Sequence, residues 1–176
     1  MEVTLKPAEQ KKDREFARQV HHEAYRDVVT RQFGAWDIKQ QDGFFEKEWD
    51  CPWGDLSEQV EKDGITTDQI NSTATVARTY NLILMDSAPV GVVVFEVSHT
   101  HLFLSELQIL PQYQNQGVGS AVLKLLMQEA QNKARPLRLQ VLRENSGARR
   151  LYERFGFQPV LSEHGNETHV VMEWQK

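Results

Sequence analysis

From Gln114 to Ser120 the chain reads Gln-Asn-Gln-Gly-Val-Gly-Ser, a glycine-bearing loop that follows the run Ile109-Leu110-Pro111 and opens an amphipathic stretch. A loop of this kind holds anions. Its glycines let the main chain approach closely, and the unpaired N–H groups and positive dipole of a helix start bind negative charge without a charged side chain. Residue types separate the cradles that share this layout. A nucleotide phosphate loop needs a lysine and then Ser or Thr directly after its last glycine, whereas Gly119 is followed by Ser120-Ala121. A dinucleotide fingerprint needs a third glycine three residues on and opens the first strand and helix of its domain; Val122 stands at that place. What is left is Gln-x-x-Gly-x-Gly, a seat for a diphosphate, with a plain tight turn at Gly117 and Gly119 as the bland alternative.

Other residues carry chemistry less specifically. Tyr152 shares a helical stripe with Ala148, Leu151 and Phe155, and spacing alone favours a core tyrosine over a proton donor. Arg143, Arg149, Arg150 and Arg154 form a basic cluster, which suits a solvated helix face or a phosphate contact. His21 and His22 are adjacent, so on a helix they point about 100° apart; with no partner motif they read as surface or core histidines, and no metal site is expected. Trp36 and Asp37 with Phe33, Phe44, Phe45 and Trp49 would form a pocket wall or close a hydrophobic minicore. The single cysteine, Cys51, lies far from the loop and offers neither a disulfide nor a pair of thiols for zinc.

These residues need elements to position them. Residues 2 to 7 read as a short strand; Asp13 stands at a helix cap, and Phe16, Val20, Ala24 and Val28 recur as one helical face. Arg31 to Asp50 is aromatic and contains Gly34 and Gly43, which predicts a helix or turns covering something. Cys51 to Thr75 is a polar excursion with a helical turn near Leu56 to Val60. Thr75 to Met85 and Pro89 to Val97 form a hairpin across Asp86-Ser87-Ala88, and His101 to Leu110 is the next strand. Gly117 to Lys133 is a helix, with Leu137, Leu139 and Val141 a strand after it. A short helix ending at Gly156 follows, and Phe157 to Trp174 forms a hairpin turning at His164-Gly165-Asn166. The order predicts an α/β fold: a mixed, mostly antiparallel central sheet with helices on both faces.

The 176 residues, 40% hydrophobic and 26% charged, suit a single domain over 1–176. No window approaches the roughly 20 apolar residues of a membrane span, and the charged start lacks a secretory segment, so a soluble, cytoplasmic protein without membrane association is expected. The net charge of −5 and pI near 5.7 argue against nucleic acid as a partner and weakly favour cationic amines.

The run Leu107 to Ser120, with Gln114, Gly117 and Gly119 in the pattern Gln/Arg-x-x-Gly-x-Gly/Ala, resembles the diagnostic element of the GNAT superfamily of N-acetyltransferases. A second match lies in Asn145 to Phe157, similar to that family's Asn, Ala, Leu-Tyr and Gly-Phe pattern. The resemblance covers residues 76 to 160 strongly and implies an acyl-coenzyme A-binding core there, with an acceptor-site region at about 14–75. It implies an acyltransferase that moves the acetyl group of acetyl-CoA, a co-substrate, to a primary amine of a small molecule or peptide. The attack would be direct, with no covalent enzyme intermediate and no metal. The sheet would splay between the strands at 101–110 and 137–142.

The resemblance also implies roles. Asn115, Gln116, Gly117, Val118, Gly119 and Ser120 would offer main-chain N–H groups to the pyrophosphate, beside Gln114. Leu107, Gln108 and Ile109 would pair with the pantetheine arm, and an N–H at or near Ile109 would polarise the thioester carbonyl. Asn145 would touch the cofactor, or else cap a helix. Tyr152 becomes the general acid for the departing thiolate. Glu106, the one acidic residue between Thr100 and Glu129, is the candidate base; it would share a side with Leu104 and Gln108, facing the amine or solvent. Relatives pair through sheet edges or C-terminal strands, so a homodimer is compatible with the family. Two other readings stay open: a module that senses acyl-CoA without turnover, and a partner-binding protein with a vestigial loop.

Overall fold

The computed structural model describes residues 1–51, 53–55, 75–160 and 167–175. The predicted turns at Leu56 to Val60 and at His164-Gly165-Asn166 lie outside them.

β1 (Val3–Pro7) leads into α1 (Arg14–Phe33) and α2 (Ile38–Trp49). The two-residue β2 (Gly54–Asp55) precedes the long strands β3 (Thr75–Met85), β4 (Ala88–Ser98) and β5 (Leu102–Ile109). A 3-10 turn at Pro111–Tyr113 opens on α3 (Val118–Asn132), followed by β6 (Leu137–Leu142), α4 (Ser146–Arg154), β7 (Gln158–Pro159) and β8 (His169–Trp174). The sheet runs β1-β3-β4-β5-β6-β8-β7, with β2 on one end of β3. Among the described residues only β5 and β6 pair in parallel. Asp86 and Ser87, both at positive φ (49° and 70°), make the two-residue β3–β4 turn, whose twist matches that of the strands it joins.

Side chains alternate across the strands and feed two cores. On one face Ile83, Val93 and Leu104 pack with Val118, Val122 and Leu126 of α3 and Tyr152 of α4. On the other, Tyr80, Leu82, Val92 and Val94 pack with Ala17 and Val20 of α1 and Phe45 and Trp49 of α2. Helices therefore cover both faces, as the predicted order requires.

Two predictions about faces change. The buried stripe of α1 comprises Ala17, Val20, His21, Val28 and Val29, while Phe16 and Ala24 are half-buried. The predicted and observed faces share Val20 and Val28, and Phe16 packs at the margin of the same core. The expectation that Glu106 shares a face with Leu104 fails at a β-bulge. Val94 stands opposite Glu106 and Phe95 opposite Leu104, leaving Ser105 as the extra residue. An inserted residue breaks the period of two and turns the chain beyond it over. Leu104 thus joins the α3 core, and Glu106 and Gln108 turn towards α1.

The feature that shapes the site is a parting of strands. β5 and β6 pair at Leu102–Leu137, Phe103–Arg138 and Leu104–Leu139 only. β5 continues along β4 to Ile109, and β6 continues along β8 to Leu142. From Ser105 onward, no strand among the described residues pairs with the β6 side of β5.

Candidate active site

The anion cradle is a loop whose donors have nowhere to go. Asn115 and Gly117 take positive φ (59° and 85°), and Gly117 is the N-cap of α3. The first main-chain bond back into the helix is Ala121 N–H to Gly117 O at 3.0 Å, so the N–H groups of residues 115 to 120 meet no acceptor among the described residues. Six amides are thus left at the positive end of a 15-residue helix, which is a fit for a phosphate-bearing ligand. Gln114 Nε2 donates to Ile109 O at 2.8 Å and Gln116 Nε2 to Gln112 O at 2.6 Å, so these two side chains brace the loop. Gly119 is wedged in: a Cβ there would lie 3.2 Å from Leu151 Cδ2 and 3.5 Å from Ile109 Cδ1. That contact sets the loop beside Ile109, on the stretch of β5 that continues past its pairing with β6.

Asn145 caps α4, its Oδ1 accepting from Ala148 N–H at 3.2 Å. That cap holds the helix carrying Tyr152. Tyr152 is buried in the α3 core, yet its hydroxyl bonds to no described residue. Burial pushes the phenol's pKa up, and the charge of Glu106 pushes it further in the same direction. The tyrosine stays protonated across the neutral range and senses the carboxylate.

Glu106 stands in a polar cluster between α1 and β5. Tyr25 OH donates to its Oε2 at 2.5 Å and Gln108 Nε2 to the same oxygen at 2.8 Å. Oε1 bonds to no described residue and keeps contact with the surface. Burial, opposed by the Tyr25 hydrogen bond, raises the carboxyl from 4.5 to about 7, which poises it as a base near neutrality. His21 lies beside Gln108, its pKa lowered by burial and then by His22 to about 4, so the ring is neutral.

Sequence reasoning missed several of these groups. Tyr25, half-buried, lies one turn beyond His21 and two beyond Ala17; its signal was the i, i+4 spacing. Arg78, its side chain 5% exposed, is bonded by both Glu48 of α2 and Glu96 of β4. A buried arginine on a strand offers little pattern, because its partners are 30 and 18 residues away. Of the predicted aromatic wall, Phe45 and Trp49 belong to the core, while Phe33 (56%) and Phe44 (55%) are exposed. Asp37 caps α2, accepting from Gln40 N–H at 3.0 Å. His22 and Arg18 both hold Asp42, clasping α1 to α2. Among the described residues no three His, Cys, Asp or Glu side chains gather as metal ligands.

The sequence matches the model of the Acetyltransferase (GNAT) family over residues 41–157, two thirds of the chain. The chain belongs to the GNAT acetyltransferase family. No curated protein matches the sequence. Among solved structures, the PaiA N-acetyltransferase of Thermoplasma acidophilum in complex with coenzyme A superposes with a TM-score of 0.70 at 18% identity, each chain covered in full (100% and 100%). An acetyltransferase of Thermus thermophilus gives 0.67 at 17% identity, over 99% of this chain and 97% of that one. The ribosomal-protein-S18-alanine N-acetyltransferase of Escherichia coli gives 0.58 at 19% identity, over 98% and 92%. At these identities the likeness is one of fold. It places the GNAT architecture on nearly the whole chain.

Proposed function

We propose that this GNAT chain transfers the acetyl group of acetyl-CoA to a primary amine of a small molecule or peptide. The observation that carries this reading is the row of unpartnered amides from Asn115 to Ser120, set by Gly119 against the free edge of β5. The cradle takes the pyrophosphate, and Leu107, Gln108 and Ile109 pair with the pantetheine arm. Gln114 braces this edge, and Asn145 orients α4 beside the ligand.

Glu106 Oε1 accepts the proton that a protonated amine must lose. The amine nitrogen then attacks the thioester carbonyl, the C–N bond forms as the C–S bond breaks, the thiolate takes the proton of Tyr152, and the second proton lost by the new amide nitrogen returns the phenolate to the phenol. Main-chain N–H groups at or near Ile109 stabilise the carbonyl oxygen as charge gathers there. Cys51 is half-buried and distant in sequence from the cradle, which supports direct transfer over a covalent enzyme intermediate. We assign residues 1–176 to a single domain, with acceptor recognition in about 14–75, and expect the protein to work in the cytoplasm. The S18-alanine enzyme among the similar folds puts peptide N-termini on the acceptor panel beside polyamines, aminoglycosides and amino acids.

The test is thiol release from acetyl-CoA against that panel, with mass analysis of the product. Release with one amine class and a product heavier by one acetyl group is the expected result. Tight acetyl-CoA binding by calorimetry with no release from any amine would replace this reading by an acyl-CoA sensor.

A further inference from the structure

Glu106 is the only carboxylate in its stretch of β5, but its orientation is decided from α1. Two hydrogen bonds reach the group, from Tyr25 OH at 2.5 Å and from Gln108 Nε2 at 2.8 Å, and both end on Oε2. A carboxylate held by one oxygen cannot swing, so the other oxygen is aimed. Tyr25 is itself fixed by an edge-on contact with His21, ring centroids 5.3 Å apart, and by the α1–α2 clasp through Arg18, His22 and Asp42. We infer that Tyr25 is a positioning residue for acetyl transfer, one that pins Oε2 of Glu106 and leaves Oε1 as the atom that takes the acceptor's proton. This inference rests on the reading of Glu106 as base.

The surroundings define what Tyr25 must do. From α1, Tyr25 and His21 face this cluster; from α2, Glu48; from β3, Arg78 and Tyr80; from β5, Gln108; from α4, Tyr152. Glu48 raises the affinity of Glu106 for its proton and Arg78 lowers it, while Arg78 is also shared with Glu96. Neutral His21 adds no charge. Against the dominant cost of burial, the Tyr25 hydroxyl is the largest opposing influence and Gln108 a smaller one. Each donor stabilises the charged carboxylate, so losing it favours protonation.

The experiment uses the full chain carrying glutamate labelled with ¹³C at the side-chain carboxyl, with Glu106→Gln identifying the Glu106 resonance. The intact chain is expected to titrate at about 7. Tyr25→Phe, which keeps the ring and its packing, is expected to raise the midpoint by about one pH unit. Gln108→Leu should move it the same way by less. The acid limb of thiol release with the amine panel should follow the midpoint in each variant. An unchanged midpoint in Tyr25→Phe would overturn the inference. A midpoint that rises while the acid limb stays in place would instead overturn Glu106 as the base, so the two failures are distinguishable.

Discussion

The Tyr25 hydroxyl and Glu106 Oε2 lie 2.5 Å apart although 81 residues separate them in the chain. The contact joins the first helix, to which we assign acceptor recognition, to the strand that borders the parting of the sheet. It ties the orientation of the carboxylate on the strand to a side chain of the helix.

Replacing Glu106 by Gln removes the proposed base and keeps the shape. We expect kcat/KM at pH 7 to fall by about 10²- to 10⁴-fold. In the intact enzyme the rate should rise with pH through about 7, as the carboxyl loses its proton. That acid limb should vanish in Glu106→Gln, which a pH profile of thiol release checks.

The same carboxyl makes the fold less stable at high pH. Its folded pKa of about 7 stands above the reference value of 4.5. The folded state therefore keeps a proton that the unfolded chain has already lost, and the resulting stability is full below pH 4.5 and lost as pH rises through about 7. The span amounts to roughly 3 kcal/mol. Glu106→Gln should thus melt several degrees above the intact chain at pH 8 and close to it at pH 4.5, as measured by thermal unfolding in the two buffers.

Tyr152→Phe leaves the ring in its core and removes only the hydroxyl. We expect kcat to drop by about 10- to 10³-fold while acetyl-CoA affinity by calorimetry stays within about twofold. A loss of affinity equal to the loss of rate would make Tyr152 a binding residue instead.

Gly117→Ala tests the cradle. At φ 85° an added Cβ meets no main chain, and its nearest neighbour is Met1 Cε at 3.5 Å. The cost is one of backbone conformation, about 1 kcal/mol or more. Relief of that strain turns the amides away, so acetyl-CoA should bind about tenfold or more weakly by calorimetry. Equal affinity would move the pyrophosphate seat elsewhere.

Arg78→Ala leaves Glu48 and Glu96 facing each other with their shared cation gone. Breaking a buried ion network by removing one partner costs on the order of 3–5 kcal/mol, so the melting temperature should fall by about 6 °C or more. Arg78→Met should recover part of the packing loss and none of the charge loss, which separates the two causes.

Much of this was written in short segments of chain. The loop from Gln114 to Ser120 carries its glycines, its helix start and its missing lysine within seven residues, and a local pattern fixes a local shape. The strands from Thr75 to Ile109, the helix at Val118 and the cap at Gly156 were legible for the same reason: periods of two and of 3.6 are properties of neighbouring residues. Asn145 was open between a cap and a cofactor contact, and the structure gives it the cap.

Tertiary structure decided what lies across the chain. One extra residue at Ser105 reversed the facing of Glu106, because a period of two cannot survive an odd insertion. The pKa of Glu106 follows from desolvation by α1, α2 and the sheet together, and a linear pattern holds no record of the dielectric around a side chain. Tyr25, Arg78 and Glu48 entered the site only through folding, since their partners stand tens of residues away. The sequence by itself determined the chemistry this chain can offer, while packing decided which oxygen of which carboxylate is free to use it.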